Sequence, residues 1–238
     1  MPVRTKIITL ANQKGGSGKT TLSMQLAGTF VRRGWRVLVV DADTQGTATR
    51  WAASAVQDEK PFPAHVAGLA IAGGKVHREV KKYMGDYDFI IIDCPPAVDS
   101  PVPQSALMIA DLVLIPIIPS PADIWAGRGI KQLIENVQDF NENLKPRLVA
   151  NMVQHTSLGK NAIDVLSDFG MPLAETQLGH RTAYRESAIY GGTVHDIGYK
   201  GKKAVQEIET LADEVLGILG IEKFCNPQES NLQQMAQI

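Results

Sequence analysis

Apolar runs and amphipathic stretches alternate along this chain. Residues 6–12, 37–41, 89–93, 112–117 and 148–153 are mostly near-continuous in Val, Ile and Leu. Such runs suit strands covered on both faces, as in a parallel sheet layered between helices. Shorter runs at 65–66 and 173–175 predict further edge strands. The intervening stretches have helical spacing. Residues 20–33 place Leu22, Leu26 and Phe30 at i, i+4 positions, and Gly34 marks the stop. Residues 75–84, 102–110, 124–136, 161–169, 183–190 and 202–219 read the same way. This alternation predicts an α/β fold with a mostly parallel twisted sheet and helices on both faces. No internal repeat and no Pro/Gly/Ser-rich linker divides the chain. Residues 1–222 are therefore expected to form one domain, followed by a polar tail over 223–238.

Composition narrows the function classes. The chain has 238 residues and is 44% hydrophobic, ample for one core. Its 24 Lys and Arg against 25 Asp and Glu leave a net charge of −1. The molecule is no polycation, so any nucleic-acid contact must come from a local patch. Cys94 and Cys225 are far apart and lack metal-ligand spacing, which predicts a reducing cytoplasm. The first apolar stretch is too short for a signal segment, and no run reaches the length of a membrane span.

The first strand leads into Lys14-Gly15-Gly16-Ser17-Gly18-Lys19-Thr20-Thr21 and then a helix, the context in which a phosphate loop works. The strict spacing needs Gly at position 13, which is Gln, so the loop is a deviant form. Glycines still let backbone N–H groups turn inward around a phosphate, and the helix N-terminus adds a favourable dipole. Lys19 is placed to reach the β- and γ-phosphates of bound ATP or GTP, and Thr20 to give its hydroxyl to Mg²⁺. Lys14 is unusual. Two ammonium groups about 4 Å apart repel by roughly 4 kcal/mol at an effective dielectric near 20. Either Lys14 is a solvated loop residue, or it reaches the nucleotide of a second subunit.

Asp41 and Asp43 follow one strand, and Asp93 ends another in a Walker-B pattern. Open α/β sheets bind ligands at that edge. An aspartate there is often only a helix cap, but three beside a phosphate loop predict one serving a metal and another a water. Late in the chain, Arg181, Arg185, Lys200, Lys202 and Lys203 are offset only by Glu186 and Asp196. Residue types alone fit an ordinary charged surface as well as a DNA-contacting one.

The segments KGGSGKTT, VLVVDADTQG, FIIIDCPP and IPIIPSPADIWA, in this order and spacing, resemble the ParA/MinD group of deviant Walker-A ATPases, a branch of the P-loop NTPases. The resemblance spans roughly residues 5–220 and is closest to short ParA-type partition ATPases without an N-terminal helix-turn-helix. It implies a Mg²⁺-dependent, slow ATPase. Lys14 matches the lysine that crosses an ATP-bound homodimer to the partner's phosphates. Lys19 and Thr20 match the phosphate lysine and the Mg²⁺ ligand. Asp43 matches the residue that positions the attacking water, while Asp41 and Asp93 match groups that support the metal. Asn151 matches the adenine contact. Pro119, Ser120, Pro121 and Asp123 match a segment near the base and the dimer seam. Thr44 departs from the family's usual Pro.

The resemblance further implies that the ATP-bound dimer binds DNA without sequence preference, with Arg185 at a DNA contact. A partner protein stimulates hydrolysis and resets the cycle. The expected role is plasmid or chromosome partition in the nucleoid-associated cytoplasm. An alternative is positioning of a non-DNA cargo, such as a protein cluster. A small-molecule synthetase on the same scaffold is a more distant option. MinD-type relatives hold membranes through a basic C-terminal helix. Residues 226–238 contain no Lys or Arg, so no membrane partner is expected.

Overall fold

The strand runs pair side by side because each is apolar on both faces. In the computed structural model, which describes residues 4–55, 60–96, 99–154, 166 and 169–221, the strands are β1 (Lys6–Leu10), β2 (Val37–Asp41), β3 (His65–Gly68), β4 (Phe89–Asp93), β5 (Leu112–Ile117) and β6 (Lys145–Ala150). They form one sheet in the order β3-β2-β4-β1-β5-β6, and every neighbouring pair is parallel. The helices are α1 (Lys19–Arg32), α2 (Thr47–Ser54), α3 (Val76–Lys81), α4 (Pro101–Leu107), α5 (Pro121–Gln138), α6 (Thr182–Ile189) and α7 (Lys202–Ile218).

Alternation along each strand divides the core into two layers. Ile8, Leu10, Val39, Phe89, Ile91 and Leu114 pack with α1, α2, α6 and α7. Ile7, Leu38, Val40, Ile90, Ile92 and Val113 pack with α3, α4 and α5. The i, i+4 stripe of α1 works as its spacing predicts. Leu22, Leu26 and Phe30 are buried, and Phe30 stacks on Phe89 with ring centroids 4.6 Å apart.

Several boundaries differ from the sequence reading. Helix α2 has no counterpart there, since Thr47 and Thr49 weaken any helical signal. It forms because Asp41 Oδ2 accepts from both the Thr49 N–H and hydroxyl, at 2.8 and 2.9 Å, and Trp51 Nε1 donates to the Gly192 carbonyl. Strand β6 runs from Lys145 to Ala150 rather than over 148–153, because pairing with β5 recruits the polar start Lys145-Pro146-Arg147. The expected strand at 173–175 is reduced to a single bridge between Leu148 and Leu173. The helix expected over 161–169 lies largely outside the described residues, as does the tail 223–238.

Buried polar groups tie α1 to the late part of the chain. Gln25 is fully buried. Its Nε2 donates to Ser187 Oγ at 2.9 Å, and its Oε1 accepts from the Val194 N–H at 2.8 Å. Gln25→Ala strands both partners without water and is expected to lower stability by about 2–4 kcal/mol. Urea unfolding monitored by circular dichroism measures this; a loss below about 0.5 kcal/mol refutes the account.

Candidate functional site

A parallel sheet brings every strand's C-terminal end to one edge. The register places both Leu10 of β1 and Asp41 of β2 opposite Asp93 of β4. The phosphate loop and the three aspartates therefore emerge at the same place. On the other side Ile117 pairs with Ala150, and the Asn151 N–H donates to the Ile117 carbonyl, which brings Asn151 to the same edge.

The loop conformation depends on its glycines. Gly16 and Gly18 have φ of +75° and +96°, in the left-handed region that disfavours side chains. A Cβ on Gly18 would lie 2.2 Å from Asn151 Nδ2. Asn151 fills that space instead, donating Nδ2 to the Ser17 carbonyl at 2.7 Å and accepting the Met152 N–H on Oδ1. Met152 has φ of +54°, a strained value for a residue with a side chain. Asn12 steadies the other end: its Nδ2 donates to the Pro116 carbonyl and its Oδ1 accepts the Lys14 N–H. Ser17 Oγ is buried without a partner among the described residues, as suits a group that binds a phosphate oxygen.

Lys19 is 6% exposed and donates to the Lys14 carbonyl at 3.2 Å. Burial pushes its ammonium pKa down, and the Asp93 and Asp43 carboxylates work against that shift. Its charge is thus held by surrounding carboxylates in a site shaped for a polyanion.

Asp93 is fully buried. Ser23 Oγ donates to its Oδ1 at 3.3 Å, while Oδ2 has no hydrogen-bond partner among the described residues. Burial pushes its pKa up to about 7, with Thr20, Lys19 and Ser23 acting in the opposite sense and Asp41 adding to the rise. An orphaned, buried carboxylate oxygen near Thr20 fits a hydrated Mg²⁺. Among the described residues no group of three His, Cys, Asp or Glu forms a metal cage. Mg²⁺ keeps several waters and takes much of its coordination from nucleotide phosphates. Thr20 and Asp93 would hold the ion, directly or through water, and the ion would neutralise phosphate charge.

The chain has already turned at Asp43. Its carbonyl accepts the Gly46 N–H and its Oδ1 accepts the Gln45 N–H, both at 2.9 Å. The aspartate's own side chain thus stiffens the turn in which Thr44 replaces the usual Pro. Asp41 is committed to Thr49 and to the Asp43 N–H, so it orients Asp43 and α2.

Lys14 is held by a carboxylate of its own chain. Its Nζ lies 2.5 Å from Asp123 Oδ1. Asp123 is 6% exposed and sits in the first turn of α5, where Ser120 caps the helix and hydrogen-bonds its carboxylate. The two lysines therefore do not compete for one anion within a single chain.

A cleft of about 230 Å³ continues from the loop and is lined by Gly18, Thr21, Asn151, Tyr184, Arg181 and Arg185, among others. Pro119 is half-buried and does not line it. A second cleft, of about 540 Å³, is lined by Lys200, Lys202, Lys203 and Tyr199, and it shares His180 and Arg181 with the first. Arg181 is ion-paired with Glu207 at 2.5 Å. Arg185, Lys200, Lys202 and Lys203 are exposed. The sequence reading missed Asn12, Thr49 and Tyr199. Only the Asn in LANQKGG gave any signal, as a polar residue ending an apolar strand.

Residues 8–194 match the family model described as the CobQ/CobB/MinD/ParA nucleotide binding domain. The chain is 32% identical over 210 residues to maintenance of carboxysome distribution protein A of Halothiobacillus neapolitanus, covering 88% of this chain and 95% of that protein. It is 31% identical over 249 residues to the chromosome-partitioning ATPase Soj of Thermus thermophilus, covering 90% and 97%. The fold is shared with an ATP complex of McdA from Cyanothece, with a TM-score of 0.74 at 16% identity over 93% of this chain and 99% of that one. Motif order, strand-edge geometry and family match agree: this chain is a ParA-like ATPase of the CobQ/CobB/MinD/ParA nucleotide-binding family, with ATP and Mg²⁺ as its cofactors.

Proposed function

We propose that this ATPase positions a cargo by cycling on and off DNA. ATP closes a homodimer in which Lys14 of each chain serves the other's phosphates. The dimer holds DNA without sequence preference. Asp43 orients the water that attacks the γ-phosphate, and a partner protein speeds this step and releases the DNA. The observation carrying the DNA step is the shared wall of the two clefts: His180 and Arg181 line both the cleft that continues the phosphate loop and the one bearing Lys200, Lys202 and Lys203. Nucleotide in the first is one wall away from a surface suited to phosphates. The ion pair with Glu207 makes Arg181 part of that wall. The DNA contacts thus fall chiefly to the three lysines, with exposed Arg185 beside the nucleotide.

The cargo on this reading is a plasmid or chromosome. A second reading, a protein assembly carried over the nucleoid, is favoured by the similarity to a relative named for carboxysome distribution. Both need the same DNA step. Fluorescence anisotropy on a duplex, with and without ATP and Mg²⁺ over a salt series, tests it. Wild type is expected to bind only with ATP. Replacing Lys200, Lys202 and Lys203 with Ala is expected to weaken binding and reduce the salt slope by about 1 for each lost phosphate contact. ATP-independent binding, or an unchanged slope in the triple variant, overturns the proposal.

A further inference from the structure

Among the described residues, Tyr199 is one of the most exposed large side chains, at 91%. It sits in a single 3-10 turn, Gly198–Gly201, directly ahead of α7. The turn is fixed from both ends. Gly198 has φ of +66°, and a Cβ on Gly201 would meet the Val194 carbonyl oxygen at 2.4 Å, so the backbone there is packed against its neighbour. Upstream, Asp196 accepts the Thr193 N–H and hydroxyl, both at 2.9 Å, and pairs with Arg32 of α1 at 2.6 Å. Downstream, Ala204 and Ile208 of α7 are fully buried. The ring is therefore displayed from an anchored turn.

Its surroundings indicate what meets it. Tyr199 lines the 540 Å³ cleft together with Lys200, Lys202 and Lys203, and no Asp or Glu is among the residues lining that cleft. Arg181 in its wall is paired with Glu207, but among the described residues Lys200, Lys202 and Lys203 have no ion pair, and a ring beside them suits a ligand with both negative charge and flat apolar faces. Nucleic acid has both. Lysines take phosphates and confer salt dependence, whereas an aromatic ring stacks on bases regardless of sequence and with little sensitivity to salt.

We infer that Tyr199 is a stacking residue of the DNA-binding face, which lays its ring against a base wherever the DNA is single-stranded or locally opened. This rests on the proposed reading of the lysine cleft as that face. The division of labour follows from chemistry. Phosphate contacts set the salt slope, and the ring adds a slope-independent increment. Because the ring is solvent-exposed, its removal leaves the core untouched.

The test compares wild type, Tyr199→Ala, Tyr199→Phe and the triple Lys200→Ala/Lys202→Ala/Lys203→Ala protein, all with ATP and Mg²⁺. Anisotropy is read on an oligo-dT strand and on a duplex across a salt series. Tyr199→Ala is expected to weaken oligo-dT binding by about five- to one-hundred-fold, with a smaller loss on duplex and an unchanged salt slope. Tyr199→Phe is expected to bind as wild type, since the ring and not the hydroxyl acts. If the lysine variant loses affinity and slope but Tyr199→Ala binds within two-fold of wild type, the stacking contact is refuted and the DNA face stands. If the lysine variant binds as wild type, the face is wrong and the stacking role falls with it. If Tyr199→Ala binds DNA normally and instead loses stimulation by a partner protein, the ring belongs to a protein interface and the inference is overturned.

Discussion

Asp43→Ala is expected to lower ATP turnover by at least about a hundred-fold while leaving ATP binding intact. A group that orients or deprotonates an attacking water contributes about 10²–10⁴ in rate. On the proposed mechanism Asp43 performs this task without being part of the phosphate cradle. Its backbone is pinned by the turn to Gly46, its N–H by Asp41, and its Oδ1 by Gln45. Alanine removes the carboxylate but leaves the turn's backbone hydrogen bond and the Gly15–Thr20 loop unchanged. The variant should therefore accumulate an ATP-bound dimer that stays on DNA. Phosphate release, together with size-exclusion light scattering with and without ATP, measures both halves. Turnover within about three-fold of wild type would remove Asp43 from the mechanism. A variant that fails to bind ATP would show that the turn, rather than the carboxylate, is what matters.

Lys14→Ala is expected to abolish the ATP-dependent dimer and to reduce stimulated turnover by about a thousand-fold. A cation delivered in trans to the transferring phosphate is worth about 10³–10⁵. In the single chain Lys14 is bound to Asp123, not to the phosphate site. On the proposed mechanism, a second subunit's nucleotide would have to draw the ammonium away from that carboxylate. Asp123→Asn keeps a side-chain oxygen to accept from Ser120 Oγ and removes the competing charge. It should act in the opposite direction, shifting dimerisation to lower protein concentration by up to about five-fold, since the ion pair is partly exposed and screened. Light scattering across a concentration series reads both variants. A Lys14→Ala protein that dimerises normally with ATP would assign the lysine to its own chain. An Asp123→Asn protein that dimerises less well would make Asp123 a dimer contact rather than a competitor.

The strands and the glycine-dependent conformation of the phosphate loop were legible because their information is local. Val37–Asp41, Phe89–Asp93 and Leu112–Ile117 coincide with the runs read from the chain, since a strand buried on both faces must be continuously apolar. Gly16 and Gly18 announce a loop that needs positive φ, and Lys19 and Thr20 follow at fixed offsets. What was not legible rests on contacts distant in sequence. Helix α2 depends on Asp41 capturing Thr49 and on Trp51 reaching Gly192. The start of β6 depends on β5 recruiting a polar, proline-containing segment. The sequence alone could not say whether Lys14 was solvated or engaged. Its partner Asp123 is more than a hundred residues away, on a helix that only the sheet topology brings alongside the loop. Likewise, Arg181 and the three lysines read as one basic cluster, and they do line one cleft, but folding gave Arg181 an acidic partner. Glu207 neutralises Arg181 in the wall between two clefts, while the lysines stay exposed beside an outward-facing Tyr199. The sequence by itself determined the layered α/β fold and the family's ATP and Mg²⁺ chemistry, because hydrophobic period and loop spacing are properties of consecutive residues. Only the tertiary structure decided which charges are paired and which face outward, because opposite charges far apart in the chain meet only once the sheet has formed.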